Sequence, residues 1–133
     1  MSEVGKFEAA LRARRESGGK ILVPYITGGL GDDWIETIQA AAAAGADAIE
    51  VGIPFSDPVM DGPVIQEAND RSLTAGSTPQ SILSAVRDAD IEVPLAVMTY
   101  YNIAFRAGEK RFCLLYTSPS PRDQRGSRMP SSA

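Results

Sequence analysis

At 133 residues, 44% hydrophobic and 23% charged, the chain is long enough for one globular domain with its own core. A formal charge of −4 argues against nucleic-acid and anionic-membrane partners, and no apolar run approaches the roughly 18 residues of a transmembrane helix. Histidine is absent, so acid–base chemistry falls to carboxylates, tyrosine, lysine or the single cysteine, Cys113, which excludes an intramolecular disulfide and suits a reducing cytoplasm.

Taken in order, Phe7, Ala10, Leu11 and Arg14 recur at helical spacing, and Gly18-Gly19 closes that first helix; the polar N-terminus has no signal-peptide core. "ILVPYITGG" predicts a short buried strand running into a glycine-rich turn. The "TGGLG" of that turn has no lysine and the wrong spacing for a phosphate loop, so it reads as a βα turn. "DDWIETIQAAAAAG" predicts a helix capped by Asp32 or Asp33, with Trp34, Ile35 and Ile38 on its apolar face and Gly45 at its end. "DAIEVGI" is the next strand. A helix is expected from Pro63 to Ala75, with Gly76 just beyond it, and Thr78-Pro79 opens another that carries Ile82, Leu83 and Val86 on one face. "VPLAVMTYY" predicts a third buried strand, and "RAGEKRF" begins a further helix. Near-continuous apolar strands alternating with helices indicate an α/β fold built from parallel βαβ units. A doubly wound sheet and a (β/α)₈ barrel both begin this way.

From Cys113 onward the character changes. "CLLYTSPSPRDQRGSRMPSSA" is rich in Pro and Ser and has no apolar period after Tyr116, which by itself reads as a disordered tail. Back-translated, "CLLYTSPSPRD" resembles the end of a transposase-based DNA sequencing adapter, "QRG" has the length of an index, and "SRMPSSA" resembles the outer flow-cell primer region. The expected division is therefore residues 1–112 as the N-terminal part of a domain and residues 113–133 as a non-native, disordered tail. The natural protein is expected to continue past Phe112.

The stretch that carries chemistry is "IEVGIPFSDPVMDGP", residues 49–63. Strand alternation places Ala48, Glu50 and Gly52 on one face and Ile49, Val51 and Ile53 on the other. The branched face is expected to pack under helices, and the small face leaves room in front of Glu50. A buried carboxylate is costly unless paired, so Glu50 either meets a buried Arg or Lys or faces a ligand. Desolvation raises a carboxyl pKa, which is how a glutamate becomes an acid–base group near neutral pH. Asp61, just before Gly62-Pro63, is either a helix N-cap or a second site carboxylate. Pro54, Pro58, Gly62 and Pro63 stiffen a loop at the C-terminal end of a parallel strand, where both α/β architectures place their active sites. Asp57 before Pro58 reads as a turn or interface residue.

"GADAIEVGIPFSDPVMDGPVIQEAN" closely resembles the signature of the tryptophan synthase alpha subunit, and the likeness continues through "VPYITGG", "AGSTPQSIL" and "PLAVMTYYNIAFRAGEKRF". The resemblance implies a (β/α)₈ TIM barrel of which the first three strands and their helices are present. It implies cleavage of indole-3-glycerol phosphate to indole and glyceraldehyde 3-phosphate in tryptophan biosynthesis. Glu50 matches the general acid–base residue, and Asp61 the carboxylate that accepts the indole N–H. Tyr25 and Tyr100 match aromatic substrate-pocket positions, with core packing as the alternative for each. Phe55, Ser56, Asp57 and Pro58 match the loop that faces the beta subunit in an α2β2 complex. That partner carries pyridoxal phosphate; no metal or cofactor is implied for the alpha subunit itself. The later loops that would bear the phosphate site are missing, so the chain is expected to be inactive alone, with open strand edges and an uncovered apolar face. Two other readings are another phosphate-substrate (β/α)₈ enzyme, which would not share "GIPFSDPVMDGP", and a non-catalytic phosphate-ligand-binding barrel or scaffold.

Overall fold

The computed structural model describes residues 5–58 and 60–108; the expected boundary at Phe112, Cys113 and the tail lie outside them. The elements follow as α1 (Lys6–Glu16), β1 (Tyr25–Thr27), α2 (Trp34–Ala43), β2 (Ile49–Gly52), α3 (Pro63–Thr74), α4 (Pro79–Asp88), β3 (Leu95–Met98) and α5 (Tyr101–Ala107). The three strands form one parallel sheet in the order β1-β2-β3. Parallel neighbours need a crossover, and here α2 makes the first while α3 and α4 together make the second.

Packing explains why β2 is central. Ile49, Val51 and Ile53 are buried on one face, where they meet Ile38 of α2 and Ile82 and Leu83 of α4. Each such side chain contributes about 1.5–3 kcal/mol on full burial. The branched face therefore lies under helices, as the alternation predicts. Thr78 caps α4 as expected: its Oγ1 accepts the Ser81 N–H at 3.0 Å, and the Ser81 hydroxyl accepts the Thr78 N–H at 3.0 Å. Gly76, at φ +93°, takes the left-handed turn that separates α3 from α4.

Three expectations shift. The apolar run before β1 is longer than the strand, because Pro24 lacks an N–H and breaks the ladder. The run still follows β2: Asp47 N–H donates to the Leu22 carbonyl at 2.9 Å, Glu50 N–H donates to Pro24 at 2.9 Å, and the Asp47 carboxylate accepts the Leu22 N–H at 2.8 Å. Asp33 occupies the N-cap position of α2 but makes no side-chain cap bond. The third strand stops at Met98 and the last helix starts at Tyr101, earlier than "RAGEKRF" suggests. Ile103 and Ala104 pack on the core from that helix, and this contact outweighs the strand preference of two adjacent tyrosines.

Candidate active site

Because all three strands are parallel, their C-terminal ends open on one side, where the loop 53–62 and the bend at Thr99-Tyr100 meet. In-register pairing lays Tyr25, Glu50 and Ala96 side by side, and one layer nearer the C-terminal ends it lays Thr27, Gly52 and Met98. These residues form the face opposite the branched core. Ala96 and Gly52 keep it small, but the room above Gly52 is not empty. A Cβ there would lie 1.9 Å from the Tyr25 hydroxyl oxygen and 2.5 Å from its Cζ. The absent side chain of Gly52 is thus the seat of the Tyr25 ring.

Beyond that ring lies a cavity of about 310 Å³, within the range of small-molecule sites. Tyr25, Asp61 and Tyr100 line it together with Met98, Thr99 and Asn69. The Tyr100 hydroxyl donates to Asp61 Oδ2 at 3.2 Å and accepts the Met60 N–H at 3.1 Å, while its ring stacks on Phe55 at 4.8 Å. One side chain at the end of β3 therefore holds both ends of the stiff loop. Asp61 is not the N-cap of α3; Gly62 occupies that place without a side-chain bond. The Asp61 backbone is pinned as well, its N–H donating to Pro58 at 3.0 Å and its carbonyl accepting the Gln66 amide at 2.7 Å.

Glu50 is half-buried rather than buried, and it sits beside Tyr25, one layer deeper than the cavity wall. Among the described residues its carboxylate has no hydrogen bond or ion pair, so the alternative of a buried Arg or Lys partner is not realised there. Burial pushes the Tyr25 phenol above its ordinary range; a bond to the Thr27 side chain pulls it partly back, and Asp61, Glu50 and Tyr100 add to the rise. Of the loop residues expected at an interface, Ser56 and Asp57 are exposed, Phe55 is half-buried against Tyr100, and Pro58 is buried. The "TGGLG" segment is a turn, as read: Gly29 is left-handed at φ +77°, and the Gly28 carbonyl accepts the Ser72 hydroxyl at 2.7 Å.

The sequence reading of the site does not reach Asn69 and Thr99, two of the polar residues at this cavity. The signal for Asn69 was available: Ile65, Asn69 and Ser72 recur at helical spacing, which places two polar side chains on the inward stripe of α3.

The model of the family described as "Tryptophan synthase alpha chain" matches residues 11–118. The chain belongs to the tryptophan synthase alpha chain family. Among curated relatives, the tryptophan synthase alpha chain of Halorhodospira halophila is 47% identical over 106 residues, covering 76% of this chain and 39% of that protein. That of Streptococcus pneumoniae is 45% identical over 106 residues, covering 77% and 41%. Among solved structures, tryptophan synthase subunit alpha from Legionella pneumophila superposes with a TM-score of 0.78 at 30% identity, over 87% of this chain and 46% of that one. Mycobacterium tuberculosis tryptophan synthase gives a TM-score of 0.80 at 30% identity, over 87% and 46%. The chain thus spans about two fifths of the length of its curated relatives. Its three strands and their helices are part of a tryptophan synthase alpha TIM barrel, which settles the choice between a barrel and a doubly wound sheet. Among the described residues no helix is long and apolar enough to cross a membrane.

Proposed function

We propose that this chain supplies the first part of the active site of a carbon–carbon lyase that cleaves indole-3-glycerol phosphate to indole and glyceraldehyde 3-phosphate. The observation that carries the reading is Asp61, held by the Tyr100 hydroxyl on a loop anchored at both ends, at the wall of a cavity shared with Tyr25. A carboxylate fixed in this way can accept the indole N–H and stabilise the positive charge that develops on the ring. Glu50 delivers a proton to the indole ring carbon that bears the side chain. The Glu50 carboxylate left behind then takes the proton of the adjacent side-chain hydroxyl, the bond between the ring and the side chain breaks with its electron pair going to the ring, and the hydroxyl carbon leaves as the aldehyde. No water is consumed and no electrons leave the pair of products. Tyr25 and Tyr100 flank the ring. The exposed tip at Ser56 and Asp57 faces the beta subunit of an α2β2 complex, where pyridoxal phosphate serves the following condensation, in the cytoplasm.

The test uses a completed barrel, in which residues 1–112 run into the C-terminal remainder of the Halorhodospira halophila relative. Glu50→Gln is expected to abolish indole release, and Asp61→Asn to reduce it at least a hundredfold, with the circular dichroism of both variants unchanged. Full activity in Glu50→Gln would overturn the assignment.

A further inference from the structure

We infer that Asn69 is a further substrate-binding residue, whose side-chain carbonyl accepts a hydrogen bond from a hydroxyl on the ligand's aliphatic chain. The inference rests on the reading of the site given above. Asn69 is 2% exposed, and among the described residues its Oδ1 has no hydrogen-bond partner. Buried carbonyl oxygens are almost always bonded, and one left bare costs stability until a donor reaches it. A residue that pays this cost on a helix stripe, where an apolar side chain would fit, is placed for something the free chain lacks.

The position says what that is. Asn69 lines the same cavity as Asp61, Tyr25 and Tyr100. Neither the Tyr100 hydroxyl, which donates to Asp61, nor the Thr99 hydroxyl, which donates to the Tyr100 carbonyl at 3.2 Å, bonds to Asn69, and the Tyr25 oxygen takes its own hydrogen bond from the Thr27 side chain. One turn further along α3, Ser72 shows the same inward stripe with its hydrogen bond made, to Gly28 at 2.7 Å. The donor for Asn69 therefore comes with the ligand. In the proposed substrate the ring N–H goes to Asp61, so the donors left are the side-chain hydroxyls. The terminal amide torsion is broad, and a rotation about it turns Oδ1 towards the cavity without moving the rest of the residue.

The test again uses the completed barrel and compares indole-3-glycerol phosphate with an indolylpropyl phosphate that lacks both hydroxyls. Asn69→Ala is expected to raise KM for the substrate at least tenfold, with a smaller change in kcat. Binding of the deoxy analogue is expected to stay within twofold. Equal weakening of both ligands, or of neither, would overturn the inference, because a structural role or a bound water would not distinguish them. Asn69→Leu guards against a folding artefact: with the bare oxygen removed, the unliganded protein is expected to melt no lower than the parent while showing the same loss of substrate affinity. A lower melting point would mean that Oδ1 is satisfied within the fold, and would also overturn it. An unsubstituted barrel that releases no indole rejects the proposed function itself, whereas an active barrel indifferent to Asn69 rejects this inference alone.

Discussion

Replacing Gly52 with alanine should drive Tyr25 out of its seat, and the geometry sets how far. The new methyl would lie 1.9 Å from the Tyr25 hydroxyl oxygen, 2.5 Å from Cζ and 2.9 Å from Cε2, against the 3.4 Å at which ordinary contact begins. The ring must retreat by about 1.5 Å, and the open side is the cavity it lines. Overpacking of this kind costs about 1–3 kcal/mol, offset by the roughly 0.5–1 kcal/mol gained when a strand glycine is replaced, which leaves a net loss of about 0–2.5 kcal/mol, centred on about 1 kcal/mol. The same shift narrows the cavity, so KM should rise alongside the loss of stability. Urea unfolding of the completed barrel, followed by circular dichroism, measures the first quantity through a double-mutant cycle. Tyr25→Phe removes only the nearest of the three atoms, so it should relieve part of the cost. Tyr25→Val removes all three, and in that background Gly52→Ala should cost nothing. An equal cost of Gly52→Ala in the Tyr25 and Tyr25→Val backgrounds would refute the reasoning, since the methyl would then be clashing with something else.

Tyr100→Phe keeps the stack on Phe55 but loses the bonds to Asp61 and Met60. It should destabilise the loop by about 1 kcal/mol and speed hydrogen exchange at the Met60 amide several-fold; unchanged exchange would count against Tyr100 as the anchor. The raised Tyr25 phenol predicts a sign for alkaline stability. In the unfolded chain the phenol ionises near pH ~10, while in the folded chain it holds its proton to higher pH. Its contribution is therefore complete below about pH 10 and is lost as pH rises through the folded value. Tyr25→Phe should flatten that loss in an unfolding series at alkaline pH, and an identical slope in both proteins would contradict it.

Much of the candidate site was legible because it is local. Glu50, Asp61 and the prolines between them lie within fifteen residues, and strand alternation with turn chemistry is enough to put one carboxylate on the small face and the other on a stiff loop. What was illegible is long-range. Asp61 looked like a cap because Asp before Gly-Pro is a common cap sequence, but its partner is a hydroxyl 39 residues away. Phe55, expected at an interface, and Tyr100, expected at the pocket it does line, lie 45 residues apart, and no local pattern shows that their rings stack. Asn69 carries a visible periodic signal, yet only the packing of α3 over the sheet makes its oxygen a buried, unpartnered one.

By itself the sequence determined the α/β alternation, the parallel strands, the capped start of α4 and the segment that holds both carboxylates, because each depends on periods of two or 3.6 residues and on turn residues acting within a few positions. Tertiary structure alone decided where the empty space lies. Gly52 leaves a gap that Tyr25, from the neighbouring strand, fills, so Glu50 stands one layer behind the cavity and Asp61 at its wall. Which side chain occupies a gap depends on strand register and on loops meeting across the sheet, and no local pattern encodes either.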